Sequence, residues 1–135
     1  MEKIVQMRIE AYLRVLSDED TIRTIHKQTN IPDASIRELK AWRTEGKDHW
    51  WHWATVRVPI DIDKVDEGLQ ALLSNYKPIF SILKKLRPAE ADVYLQMVTE
   101  YRQGEKPCGL YLSNETISLL YELGGAVDND VIVSD

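Results

Sequence analysis

The chain has 135 residues, 44% of them hydrophobic and 29% charged, which is the size and composition of one globular domain over residues 1–135. Its 22 acidic against 17 basic residues give a formal net charge of -5, which works against generic nucleic-acid binding, since that draws on counterion release by a basic surface. The single cysteine, Cys108, excludes an internal disulfide, no apolar run reaches the length of a membrane span, and Glu2, Lys3, Arg8 and Glu10 interrupt what an export signal needs, so the expectation is a soluble cytoplasmic protein without a membrane partner.

In the first segment Val5, Met7, Ile9, Ala11, Leu13 and Val15 alternate with Gln6, Arg8, Glu10, Tyr12 and Arg14, the period of a long strand with one wet face. Ser17-Asp18-Glu19-Asp20 starts a helix, with the Ser17 hydroxyl able to cap free amides and the acids at the positive end of the dipole. Ile22, Ile25 and Thr29 share its buried face, and Asn30 before Ile31-Pro32 ends it. Two strands follow, about Ile36 to Arg43 and Trp50 to Val58, joined as a hairpin with Gly46 at the bend.

A second helix begins after Asp61 or Asp63 and buries Val65, Leu69, Leu72 and Leu73 until Pro78 breaks or kinks it, with Ile79, Ile82, Leu83 and Leu86 continuing before Pro88. Val93, Leu95 and Met97 alternate against Asp92, Tyr94, Gln96 and Glu100 as another long strand, and Gly109 to Leu112 reads as a weaker one. The third helix opens at Ser113 or Asn114, runs along Ile117, Leu120 and Tyr121, and stops at Gly124-Gly125. Val127 to Val133 closes the chain.

The order β-α-β-β-α-β-β-α-β predicts an α+β fold, a largely antiparallel sheet with helices on one face. Thr21-Ile22-x-x-Ile25 and Asp33 reappear at a constant offset as Thr116-Ile117-x-x-Leu120 and Asp128. If structural, this echo gives pseudo-twofold, ferredoxin-like halves; any two short amphipathic helices would show a similar likeness.

Asp48-His49-x-x-His52 has the side chains of a zinc site, but on a strand residues 49 and 52 point to opposite faces, so no metal is assigned. Cys108, between Pro107 and Gly109, has no histidine near it in sequence to generate a thiolate, and His26 reads as a boundary residue of a short helix. Phosphate-loop, dinucleotide and serine-elbow signatures are absent. Asp61 with Asp63, and Asp128 with Asp130, read as a helix start and as exposed strand positions. No catalytic residue and no cofactor are assigned.

All four tryptophans fall between residues 42 and 53. Tryptophan dominates interface hot spots, and a cation can stack on its face. Alternation places Trp51 and Trp53 towards the helices and leaves Trp50 and Trp42 nearer the outside. The candidate binding residues are therefore Trp42, Arg43, Lys47, His49, Trp50 and His52.

Three stretches carry a family resemblance. They are Ala11-Tyr12-Leu13-Arg14-Val15 running into Asp18-Glu19-Asp20-Thr21-Ile22 and Asn30-Ile31-Pro32; Trp42-Arg43-Thr44-Glu45-Gly46-Lys47 with Trp50-Trp51; and Leu112-Ser113-Asn114-Glu115, Leu119, Leu120, Leu123-Gly124 and Val127-Asp128-Asn129-Asp130-Val131. In this order they resemble the bacterial family catalogued as domain of unknown function 4279. The resemblance implies a small cytoplasmic bacterial α+β domain with no established activity, so it carries over no site. The commoner pattern of that family has one tryptophan after the hairpin, where this chain has Trp50, Trp51 and Trp53.

The function expected is that of a non-enzymatic binding protein with a protein partner, most concretely an immunity protein occluding a toxin. The alternative is a small enzyme, or a ligand- or metal-binding domain, using His49, His52 or Cys108. Convergence of those side chains in one pocket would favour the alternative.

Overall fold

The computed structural model describes residues 7–39, 50–86, 91–105 and 109–134. The first alternating segment forms β1 (Arg8–Asp18), with Ile9, Ala11, Leu13 and Val15 buried on one side. It runs further than its apolar period indicates, because Ser17 still lies in the strand and is buried. The helix cap is Asp18 and not the Ser17 hydroxyl, which is still in the strand: the Asp18 carboxylate accepts from the Thr21 amide at 2.8 Å. Helix α1 (Glu19–Thr29) buries Ile22, Ile25 and Thr29, and Asn30, at φ 52°, closes it in the left-handed conformation.

Strands β2 (Ser35–Glu38) and β3 (Trp50–Ala54) pair antiparallel, and beyond them the Leu39 amide donates to the Trp50 carbonyl at 3.0 Å. The hairpin bend at Gly46 lies outside the described residues. The stretch from Trp50 to Val58 is broken: β3 pairs with one end of β1, and a separate β4 (Val58–Ile60) pairs with the other end along the same edge. At the break, Thr55 replaces the missing ladder. Its amide donates to the Leu13 carbonyl at 2.9 Å, and its hydroxyl oxygen accepts from the buried Leu13 amide at 3.0 Å.

Helix α2 (Val65–Tyr76) continues through a 3-10 turn, Lys77–Ile79, into α3 (Phe80–Leu86), with the interruption at Pro78. A Cβ on Gly68 would stand 3.0 Å from Ile60 Cγ2, so glycine lets α2 close onto β4. Strand β5 (Asp92–Arg102) lies antiparallel to β1, and after α4 (Asn114–Leu123) the chain returns as β6 (Ala126–Ser134), parallel to β5.

The sheet order is β2-β3-β1-β5-β6, with β4 beside β1. One core joins the inner side chains of the sheet, among them Leu13, Trp53 and Leu95, to Ile22, Ile25, Leu69, Leu73, Leu83 and Leu123 of the helices. The fold is α+β, and the sheet is antiparallel except for the β5–β6 pair. Among the described residues no helix is long and apolar enough to cross a membrane.

Three expectations are corrected. Residues Gly109 to Leu112 are not a strand: β6 occupies the edge of β5, and Gly109, Leu110 and Tyr111 are exposed. Helix α4 exposes Ile117 and Tyr121 and buries Thr116, Leu119, Leu120 and Leu123, because it packs against α2 and α3. The pseudo-twofold, ferredoxin-like halves also fail as topology. Strand β2 runs parallel to β1 with β3 inserted between them, whereas β6 lies directly against β5. The echo survives locally in the caps, Asp18 to Thr21 and Ser113 to Thr116, and in the buried pair Ile25 and Leu120.

Candidate functional site on the open face of the sheet

The register fixes which side chains share the face away from the core. With Leu13, Val15 and Trp53 pointing inward, the next residues along each strand point outward: Tyr12, Arg14 and Leu16 of β1, Trp50 and His52 of β3, and Tyr94 and Gln96 of β5. Leu16 stands opposite His52, and Arg37 of β2 stands opposite His52 on its other side. Arg14 is one step along β1, opposite Tyr94. The core cluster draws its helical members from the other face, and no described helix covers this one.

His52 lies on this face, which no described helix covers, yet is only 5% exposed, and neither ring nitrogen has a hydrogen-bond partner. Burial first, then the positive fields of Arg37 and Arg14, lowers its pKa from the ordinary 6.5 to about 4, so the imidazole is neutral at pH 7. Arg14 stacks over the Tyr94 ring at 4.9 Å, and its buried Nε is unpartnered. By contrast, Arg57 on the same face is occupied by Glu10 at 3.7 Å and by the Tyr12 ring at 5.2 Å. Among the described residues, Arg14 and Arg37 form no ion pair.

The tryptophans divide as alternation requires. Trp53 is fully buried among the helices, and Trp51, on the same face, is half-buried with the Arg23 guanidinium of α1 4.7 Å from its ring centre. Trp50 is half-buried on the open face, opposite Asp18. Trp42, Arg43, Lys47 and His49 lie outside the described residues, as does Cys108. His52 is thus not the solvated strand histidine that a wet face would give.

Among the described residues no three His, Cys, Asp or Glu side chains are grouped to hold a metal ion. His52 itself sits in a positive field, which disfavours a cation there. The Asp61 carboxylate accepts from the Asp63 amide at 2.9 Å and shapes the turn before α2. Asp66 accepts from the Ser113 amide at 2.9 Å and from the Thr116 hydroxyl at 2.8 Å, tying the start of α2 to the start of α4. Desolvation raises the Asp66 pKa, but these hydrogen bonds outweigh it and hold the carboxyl below its usual value. Asp66 is therefore a joint between helices.

Sequence reasoning singled out Trp50 and His52 but missed Arg14, Arg37 and Tyr94. The alternation of β1 and β5 does show that Arg14 and Tyr94 point away from the core. That Arg37 meets His52 depends on the hairpin register, which is not written in the composition of the hairpin.

Comparison with curated proteins and with solved structures returns no match. A family model does match, over residues 6–134, nearly the whole length read above. The chain belongs to the family described as domain of unknown function 4279 (DUF4279).

Proposed function

We propose that this chain is a non-enzymatic binding protein whose open sheet face meets an acidic segment of a protein partner. The observation that carries the reading is His52, buried with both nitrogens unpartnered, on a face that no described helix covers and whose arginines Arg14 and Arg37 lack ion-pair partners among the described residues. The net charge of -5 belongs to the whole molecule, whereas the charge around His52 is positive. Neutralisation of a toxin in the bacterial cytoplasm is the setting we favour. An imidazole that ionises near pH 4 is a weak base at neutral pH, which counts against the alternative of an enzyme using His52.

A photoreactive side chain at exposed Ser35, on the open face beside Arg37, should crosslink one discrete protein in the native host. The same probe at exposed Ser74 on α2 should not. Crosslinking from Ser74 alone, or a turnover activity abolished by changing His52, would overturn the proposal.

A further inference from the structure

Among the described residues, two arginines flank His52 and no carboxylate is bonded to it. It faces Arg37 from β2, Leu16 and Arg14 from β1, and its own strand neighbours Trp50 and Ala54. Carboxylates on the same face are separated from it or committed elsewhere. Asp92 of β5 lies beyond Leu16 and is itself engaged, Glu10 pairs with Arg57, and Asp18 caps α1. A buried imidazole with neither nitrogen bonded, next to a buried unpartnered Arg14 Nε, is a costly arrangement for a sheet surface. It ceases to be costly once an acceptor is supplied.

Directly opposed side chains in an antiparallel pair start about 4.5–5.5 Å apart at Cβ, and diagonal ones about 7–8 Å, distances that two arginines readily span. Stacking on Tyr94 engages the face of the Arg14 guanidinium and leaves its edge able to donate. We propose that Arg14, Arg37 and His52 together bind one oxyanion, a carboxylate or a phosphate group, on the open face. This deepens the binding reading above and rests on that face being the contact surface. The two guanidinium groups supply charge-assisted hydrogen bonds and the imidazole donates a third. A bound anion also offsets the fields of Arg14 and Arg37 at His52, so the ring takes up a proton more easily and donates from both nitrogens.

The test is a titration of the intact, isotope-labelled chain with sodium phosphate and, separately, sodium acetate, against sodium chloride at equal ionic strength. Imidazole and guanidinium resonances are followed by NMR. We expect the His52, Arg14 and Arg37 signals to move together and saturate with at least one of the two anions. Saturation by acetate and phosphate alike identifies a carboxylate as sufficient, and saturation by phosphate alone identifies a phosphate group. Arg37 is exposed, so Arg37→Gln should keep the thermal midpoint of the parent chain and raise the titration midpoint at least tenfold. Lys84→Gln, an equal loss of charge on α3, should leave it unchanged. Shifts that fail to saturate with either anion, or a titration midpoint unchanged by Arg37→Gln, would overturn the site. Because no partner protein is used, crosslinking from Ser35 combined with no anion saturation removes this inference and leaves the contact surface standing.

Discussion

At Thr55 a single side chain repairs the sheet. Its hydroxyl accepts the buried Leu13 amide where β3 and β4 part, so Thr55→Val should leave that donor unpaired and lower stability by about 1–3 kcal/mol in urea denaturation. Thr55→Ser should retain most of the stability. Trp53, fully buried, should cost about 3–5 kcal/mol as Trp53→Ala, while half-buried Trp50 should cost clearly less. Equal losses at the two positions would contradict the facing of β3. His52 carries the pH dependence. Its pKa is about 4 in the folded chain against 6.5 as the ordinary value, so the unfolded state binds the proton more tightly. Stability from this group is complete above about pH 6.5 and falls towards pH 4, by up to about 3 kcal/mol. The unfolding midpoint of His52→Gln should therefore fall less over that window than that of the parent chain.

Among the elements, the two long strands were legible because Ile9 to Val15 and Val93 to Met97 place apolar side chains at every second position on one dry face. The starts of α1 and α4 were legible because acceptor side chains stand where free helix amides need them, although α1 is capped by Asp18 and not by the Ser17 hydroxyl. The buried face of α4 was not. Ile117 and Tyr121 look like core positions, but the helix turns towards α2 and α3 and anchors through Thr116 and Asp66. That contact joins residues far apart in sequence, and no local period encodes it. Asp66→Ala should leave the fully buried Thr116 hydroxyl and the Ser113 amide without this acceptor, costing about 1–3 kcal/mol by denaturation, and Asp66→Asn should cost less because its amide oxygen still accepts. An Asp66→Ala chain as stable as the parent would show that the joint contributes nothing.

For the whole molecule, composition reports an acidic chain and conceals where its positive groups gather. The open face became legible only when the strand register brought Arg37 of β2 and Arg14 of β1 around His52 of β3. The hairpin tryptophans drew attention to residues 42–53, and the site proposed above combines His52 from that stretch with Arg14 and Arg37 from the neighbouring strands. The most direct measurement is the affinity of the chain for the protein crosslinked from Ser35, compared between Arg14→Glu with Arg37→Glu on the open face and Lys84→Glu with Lys85→Glu on α3. The account predicts that the open-face pair weakens binding by on the order of 2 kcal/mol or more while the helix-side pair, equal in charge change, has little effect. Equal losses from both pairs, or a loss confined to the α3 pair, would contradict it.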